Sequence, residues 1–441
     1  MKVVPERHPR ERFLLALTCA VLAGVAAAPH IVSPTGHDTF RFPKELWVRG
    51  EGIVFAVLLI LGFLWGWIDT GVFKRERGVF ALVAGIVAWT GIATIFSTYP
   101  GQSVWSLFYV TSGAVIFVAT VIAALRRSLL FADIALLAAV PNAILCVLGE
   151  LRIWHPFLTE KEMLASGEWM HLYAGGLLGN PNDMGSFLVA PTLASMILCA
   201  TIKHRRAWYG VLAVIITVGL LVAQSIAAIG ALVVALVFIV FRVSRKIAVA
   251  IVIAIVVIGS LVSAFSFSAQ RKIRGTIQVI RAKQVTAYMI DEAISNRLLP
   301  FLVAAQMGVD HPLTGVGPGR FSWHFYEYKL RCETRHPTLR KSVTNYLNWG
   351  EVHNDHLQTL ATTGFPGYAL YITAIVLLAR RSRRPHDRDE LALVAHRLAL
   401  PLAVMFFVLT LAQFPMEIGA ATTMLLHWAA LCVAWSSDAA A

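Results

Sequence analysis

The densest group of chemically capable side chains lies in the segment EVHNDHLQTLATTGFPG, which begins at Glu351. Glu351, His353, Asn354, Asp355 and His356 fall within six consecutive residues. A histidine has an ordinary pKa of about 6.5, so His353 can accept a hydroxyl proton at neutral pH, and the carboxylate of Glu351 or Asp355 can orient its ring. A lone histidine is more often structural, but this cluster favours a general base or an acceptor-orienting group.

A metal site is a second interpretation of the same segment. His353, His356 and a carboxylate are competent metal ligands. Their spacing is not HExxH, and the flanking residues match no strong metal signature. We therefore expect no metal and no cofactor.

Cationic side chains precede this cluster within residues 268–364, which hold 12 basic and 7 acidic residues. The first group lies directly after an apolar run and consists of Arg271, Lys272, Arg274, Arg281 and Lys283. Two interpretations are equally supported. The group either lies among lipid headgroups as an amphipathic interfacial helix, or attracts a diphosphate-linked lipid, since arginine can bind phosphate oxygens through two hydrogen bonds.

A helix predicted over residues 296–307 begins near Arg297 and is followed by a glycine-rich loop. Gly315, Gly317 and Gly319 precede Arg320 in this loop. Its amides can turn toward an oxyanion, although an ordinary turn is the favoured interpretation of the three glycines. Arg320 can equally contact a phosphate or solvent.

The elements that must position these residues are membrane helices. The 441-residue chain is 57% hydrophobic and 14% charged, whereas soluble domains hold roughly 25% charged residues. Apolar runs of about 20 residues recur throughout the chain, which is enough to cross a bilayer. The net charge of +13 lies mostly in short loops between these runs, so it does not indicate nucleic-acid binding.

The hydropathy pattern predicts an all-α integral membrane protein with about twelve transmembrane helices and a large helical periplasmic loop between helices 9 and 10. The predicted spans are 13–28, 53–68, 79–95, 104–125, 129–148, 187–202, 208–222, 227–241, 247–267, 368–379, 398–414 and 420–435. The three long external segments are 29–52, 150–185 and 268–364. Residues 1–267, 268–364 and 365–441 form a single integrated domain, with the middle segment as a cap that carries the active site. Few charged residues fall inside the spans, which counts against an ion pump.

Basic clusters occur at every second loop and hold 20 Lys and Arg, whereas the short loops between them hold five. Cytoplasmic loops of membrane proteins retain such residues. The sequence therefore predicts a multi-pass protein of the bacterial inner membrane, with both termini in the cytoplasm and the active site in the periplasm. Four of the five cysteines fall in apolar segments, and no disulfide framework is visible.

The motif GVGPGRF followed by HNDHLQTLATTGFPG resembles the periplasmic loop signature of the O-antigen ligase and polymerase superfamily. GNPNDMGSF, which contains Asn182, also resembles a segment of this family. The resemblance implies a metal-independent, inverting transfer of a glycan from undecaprenyl diphosphate to a sugar hydroxyl, with His353 aiding the acceptor and Arg297 engaging the diphosphate. A second family arginine has no counterpart here, because Ile226 follows Ser225 where it would stand.

The resulting prediction is a glycosyltransferase of the O-antigen ligase type that works with an undecaprenyl-diphosphate-linked glycan donor, a lipid A-core acceptor and membrane lipids. A polymerase of the same superfamily remains the nearest alternative; a protein O-glycosyltransferase and a lipid-linked oligosaccharide flippase rank below it. His353 is the predicted catalytic residue. The predicted substrate-binding residues are Arg297, Arg320, Arg271, Arg274, Asn354, Glu351, His356 and Asn182.

Overall fold

A computed structural model of the chain describes residues 9–33, 38–154, 171–243, 245, 277, 280–282, 284–294, 296–341, 349–382 and 389–437. Throughout these residues the secondary structure is helical and contains no strand. The all-α prediction is therefore confirmed for the described part of the chain. The predicted binding residues Arg271 and Arg274 lie outside it, as does the predicted ninth span, 247–267.

The described residues form fifteen α-helices, numbered here in chain order. The first eight are α1 (Pro9–Ala27), α2 (Arg41–Leu64), α3 (Gly71–Arg75), α4 (Arg77–Ile95), α5 (Pro100–Ala124), α6 (Leu130–Glu150), α7 (Pro181–Thr201) and α8 (Arg206–Val222). The others are α9 (Ile226–Val243), α10 (Ala287–Ala293), α11 (Leu298–Asp310), α12 (Phe321–Arg335), α13 (Asp355–Arg380), α14 (Glu390–Thr410) and α15 (Gly419–Ser436).

Nine of the described helices are long and apolar enough to cross a membrane, namely α1, α2, α4 to α8, α13 and α14. The apolar part of α9, Ile226–Arg242, is shorter. Helix α15 coincides with the last predicted span but is not among the nine. The multi-pass membrane architecture is thus supported, while the number twelve stays a prediction.

Helices α7 and α15 form the centre of the bundle. Almost every side chain of α7 from Asp183 to Leu198 is buried, and α15 buries Trp428 and Trp435. Small residues allow close approach of neighbouring helices. A Cβ on Gly185 would contact Ser225, and one on Gly219 would contact Ala143. Contacts between small residues are typical of packing between membrane helices. Leaving lipid gives no hydrophobic gain, so association of the helices depends on close packing.

Helix α2 begins at Arg41, which corrects the prediction that residues 29–52 form an external loop. The hydropathy pattern suggested a later start because the first part of α2 is polar. In the folded protein these side chains face other protein groups. Lys44 donates to the carbonyl oxygens of Ile31, Phe40 and Leu177 at 2.7–2.9 Å. Because these side chains have protein partners, helix α2 can begin at Arg41. Isolated charges would disfavour a membrane helix at this position.

The same helix corrects the expectation of few charges within the spans. Glu51 lies ten residues into α2 and is buried, with Oε2 lacking a hydrogen-bond partner among the described residues. Gly24 of α1 faces this carboxylate so closely that a Cβ there would collide with it. At 1.5 Å per residue, Glu51 lies about 15 Å along α2 from its start. The membrane domain therefore contains a deeply placed carboxyl group.

Helix α13 also begins earlier than predicted, at Asp355 and not at residue 368. It contains one break, at Gly364, where φ is 71° and ψ is −175°. A Cβ on Gly364 would collide with the backbone at Leu313, so only glycine fits this position without strain. The Phe365 amide donates to the Pro312 carbonyl at 2.8 Å. The break thus joins α13 to the segment that follows α11.

Helices α10 to α12 form a separate packed unit within residues 268–364. The helix predicted over 296–307 is observed as α11, and its Leu299, Val303 and Met307 are fully buried. They belong to the same apolar cluster as Phe321 and Phe325 of α12. Val352 and Ala361 join this cluster, so it extends to the segment that carries His353. The helical insertion thus positions the candidate site.

Candidate functional site

The beginnings of three helices meet at one end of the bundle. Arg41 begins α2, Asp183 lies in the first turn of α7, and Asn354 caps the start of α13. The turn between α14 and α15 crosses this meeting point. It receives hydrogen bonds at the carbonyls of Leu411 and Ala412, and the site is built around it.

His353 lies directly before α13 in a left-handed backbone conformation, with φ of 59°. This conformation is uncommon for residues other than glycine and directs the chain into the helix. Asn354 fixes the turn, because its Oδ1 accepts from the Leu357 amide at 3.0 Å and its Nδ2 donates to the Leu411 carbonyl at 2.8 Å. Both polar ends of Asn354 are therefore engaged by the protein, and its predicted contact with substrate stays a prediction.

The imidazole ring of His353 lies edge-on between two aromatic side chains. Its centroid is 5.2 Å from that of Trp349 and 4.5 Å from that of Phe414. The Nδ1 atom is buried and has no hydrogen-bond partner among the described residues. Burial, together with the guanidinium groups of Arg297 and Arg41, lowers the pKa of His353 to about 3. The ring is therefore neutral at pH 7, with a lone pair available.

Arg41 is the cationic residue that the sequence interpretation missed. Its Nε and Nη2 donate to the two carboxylate oxygens of Asp183 at 2.8 and 3.2 Å. Its Nη1 donates to Glu351 Oε1 at 3.2 Å. The guanidinium carbon lies 5.0 Å from the centre of the Phe414 ring, which also contacts His353. Arg41 thus connects α2, α7 and the His353 segment.

Arg297 supplies the second cation beside His353. It occupies the position directly before α11, and its Nη1 donates to the Ala412 carbonyl at 2.6 Å. The part of the chain that the structure describes contains no ion pair for Arg297, and burial lowers the pKa of its guanidinium group. Its charge is therefore available to an incoming anion.

Neither carboxylate expected to orient His353 does so through a described contact. The Glu351 carboxylate pairs with Arg41, and the pKa of Glu351 is raised, mainly by burial. The buried Asp355 carboxylate accepts from the Met416 amide at 3.2 Å. The predicted orientation of the ring by a carboxylate is thus replaced by packing between Trp349 and Phe414.

His356 is held within the helix bundle. Its Nε2 lies 3.2 Å from the Phe407 carbonyl and 3.0 Å from Thr410 Oγ1, and its Nδ1 lies 3.4 Å from the Tyr368 hydroxyl. Both ring nitrogens therefore have protein partners. This environment fits a role in packing α13 against α14, and the predicted substrate contact stays untested.

Arg320 and the glycine-rich loop lie against the start of α5. Arg320 donates to the side chain and the backbone carbonyl of Gln102 and lies over the Trp323 ring. Gly317 has φ of 107°, and a Cβ there would collide with Ser97. The Val316 amide donates to the Ala361 carbonyl at 2.8 Å. These contacts favour a packed turn over an open phosphate nest, and no described contact joins Arg320 to His353.

Asn182 lies one position before Asp183 in the first turn of α7. Its side-chain Oδ1 accepts from the Ser225 hydroxyl at 3.4 Å, and its backbone N–H donates to Asn180 Oδ1 at 2.8 Å. Ser225 directly precedes Ile226, which stands where the second family arginine would be. The segment GNPNDMGSF therefore contributes Asp183 to the site, while Asn182 braces α7 against the start of α9.

Metal binding has no built site in the described residues. No group of three or more His, Cys, Asp or Glu side chains is arranged there to hold an ion. Metal independence remains a prediction, since it depends on activity and not on this arrangement alone.

Residues 211–372 match the family model described as O-antigen ligase. This region carries an O-antigen ligase family domain. It contains Arg297, Arg320 and the His353 segment, whereas Arg41 and Asp183 lie outside it. The match supports the predicted superfamily, and a domain of this family points to a membrane glycosyltransferase-like enzyme that uses lipid-linked substrates. No curated protein matches the chain.

Arg41 lies outside the O-antigen ligase domain, in a segment that the hydropathy pattern assigns to an external loop. By sequence, Arg41 is only one of the five Lys and Arg residues in the loops opposite the basic clusters. The available signal was a pair of opposite charges, Arg41 and Asp183, each next to an apolar span. Sequence spacing alone does not show that two such residues meet.

Proposed function

We propose that the protein transfers a glycan from undecaprenyl diphosphate to a hydroxyl of the lipid A-core oligosaccharide at the periplasmic face of the inner membrane. The observation that supports this most is His353, whose buried Nδ1 lacks a described partner beside Arg41 and Arg297. A neutral base next to two cations suits a reaction in which a hydroxyl loses a proton and a diphosphate leaves.

In the proposed reaction, the acceptor hydroxyl gives its proton to a ring nitrogen of His353. The acceptor oxygen forms a bond to the anomeric carbon of the donor glycan. The bond between that carbon and the diphosphate oxygen breaks, and its electron pair leaves with the diphosphate. Arg297 and Arg41 stabilise the charge that develops on the leaving oxygen.

The low pKa of His353 makes proton acceptance depend on the donor. Burial and the guanidinium groups of Arg297 and Arg41 hold the pKa of His353 at about 3, which makes the imidazole a weak base. A bound diphosphate brings negative charge that offsets the guanidinium groups of Arg41 and Arg297, which raises the pKa of His353 from this low value, while burial still lowers it. Activation of the acceptor is therefore expected only when donor is present.

A polymerase uses the same chemistry with another lipid-linked repeat unit as acceptor, so it stays the alternative. A flippase would require a cationic path through the middle of the membrane. The buried cations of α2 do not provide one in the described structure, because Lys44 binds three carbonyls and Arg49 pairs with Glu45 at 3.2 Å. The geometry therefore favours a transferase.

The test uses the purified full-length protein with a lipid-linked glycan donor in two reactions. One contains lipid A-core oligosaccharide and is scored for conjugate, while the other contains donor alone and is scored for chain extension. Conjugate without extension supports the ligase, and the reverse result supports the polymerase.

His353→Ala should lower turnover by about 10²- to 10⁴-fold, the usual contribution of a general base. His324→Ala, which makes the same truncation in α12, is the matched control and should retain activity. Near-normal turnover of His353→Ala would remove His353 from the mechanism.

A further inference from the structure

The end of the bundle opposite His353 contains a cavity of about 310 Å³. It lies among the start of α1 and the ends of α2, α5 and α15. Arg41 stands at the first residue of α2, and the cavity lies just beyond the last. The 24 residues of this helix separate the two sites by about 36 Å. The cavity is therefore distinct from the candidate active site.

The polar side of this cavity is cationic. Its lining includes four arginines and one carboxylate, that of Asp69. Asp69 pairs with Arg75 at 3.1 Å, and Arg127 donates to the Trp435 carbonyl and pairs with Asp389. Arg126 is exposed, and the described structure shows no hydrogen bond or ion pair of its side chain. Arg126 therefore adds positive charge to a partly enclosed space.

The other side of the cavity is apolar. Leu14, Ile122, Leu125 and Ala434 contribute to its wall. Beside it, at the end of α2, the Trp65 ring is more than half exposed and stacks on Trp67, with centroids 5.0 Å apart. Tryptophan is enriched where membrane helices meet the headgroup layer. The cavity thus combines phosphate-binding groups with a surface suited to acyl chains.

We propose that this cavity binds the phosphate-bearing headgroup of an anionic lipid. Arginines can bind phosphate oxygens through paired hydrogen bonds, and basic pockets between membrane helices accommodate such headgroups. The apolar wall favours a lipid over a free phosphate ion, because only the lipid brings chains that cover it. Bound lipid would join α1, α2, α5 and α15 at this end.

The test measures thermal unfolding and native mass spectra of the detergent-purified full-length protein. The three probes are a short-chain phosphatidylglycerol, the matching phosphatidylcholine and inorganic phosphate. Phosphatidylglycerol should remain bound and raise the unfolding temperature, whereas phosphatidylcholine and millimolar inorganic phosphate should not. An equal effect of inorganic phosphate, or no preference for phosphatidylglycerol, would overturn the proposal.

The double variant Arg75→Gln, Arg126→Gln removes two exposed cations from the cavity and should weaken phosphatidylglycerol binding by about 10- to 30-fold. Arg206→Gln removes an exposed arginine from the start of α8, outside the lining, and should bind as the parent does. All three substituted arginines are exposed, so the variants should fold as the parent does. The unfolding temperature without lipid checks this. Undiminished binding by the folded double variant would contradict the assignment.

Discussion

Replacement of Arg41 separates its structural role from its proposed role in binding the donor. Asp183 is 1% exposed, and Arg41 is its partner through two charge-assisted hydrogen bonds. Removing one member of a buried ion pair costs about 3–5 kcal/mol, because it leaves an uncompensated charge. Arg41→Gln should therefore lower the free energy of unfolding by about this amount and reduce the yield of folded protein.

The double variant Arg41→Gln, Asp183→Asn removes both charges and should regain most of that stability. It should not regain activity. Loss of one charge-assisted hydrogen bond to the diphosphate is worth about 1.5–3 kcal/mol, which corresponds to about a 10- to 150-fold fall in kcat/KM. The single variant Asp183→Asn measures how much of the fall in kcat/KM is caused by loss of the Asp183 carboxylate.

The assay measures transfer at several donor concentrations, with the quantity of folded protein set by gel filtration. A double variant that is stable but impaired in donor use supports a direct role for Arg41. If the double variant transferred glycan at the parental rate, Arg41 would be only the structural partner of Asp183. The proposed diphosphate site would then consist of Arg297 and residues not yet assigned.

Without bound donor, the low pKa of His353, about 3, keeps the ring neutral throughout the pH range of the assay. Thus kcat/KM should lack the roughly tenfold fall between pH 7.5 and 5.5 that a histidine of pKa about 6.5 would cause, and an acid limb centred there would contradict this. Transfer should survive EDTA; loss of activity that zinc or magnesium restores would disprove metal independence. Gly364→Ala should lower the free energy of unfolding by about 1–3 kcal/mol, because the new Cβ would collide with Leu313 and the positive φ disfavours alanine. Gly91→Ala is the control, since a Cβ at Gly91 meets open space. Equal unfolding temperatures of the two variants would refute this prediction.

The helix types and most spans follow from the sequence, because long apolar runs have no alternative to helices in lipid. The starts of α2 and α13 do not follow from it. Lys44 and Asp355 look like loop residues by hydropathy, and only their carbonyl and amide partners show that they are helical. Helix boundaries depended on tertiary contacts that a linear pattern does not contain.

The candidate site was predictable where its residues are neighbours in sequence. His353 was identified from a local cluster and Arg297 from the family resemblance. His356, from the same cluster, is instead surrounded by Phe407, Thr410 and Tyr368. Which of two nearby histidines faces the site depends on the left-handed turn at His353, and no residue type signals that turn.

The ion pairs of Arg41 also constrain the order in which the protein can be assembled during synthesis. Asp183 follows Arg41 by 142 residues and Glu351 follows it by 310. At about 5–20 residues per second, the ribosome makes Glu351 about 15–60 s after Arg41. During that time the polar beginning of α2 lacks its later partners, and its charges favour the membrane surface over the lipid interior. We therefore expect α2 to reach its final depth only after α7 and the His353 segment have emerged, so that the end of the bundle with the candidate site is the last part to form.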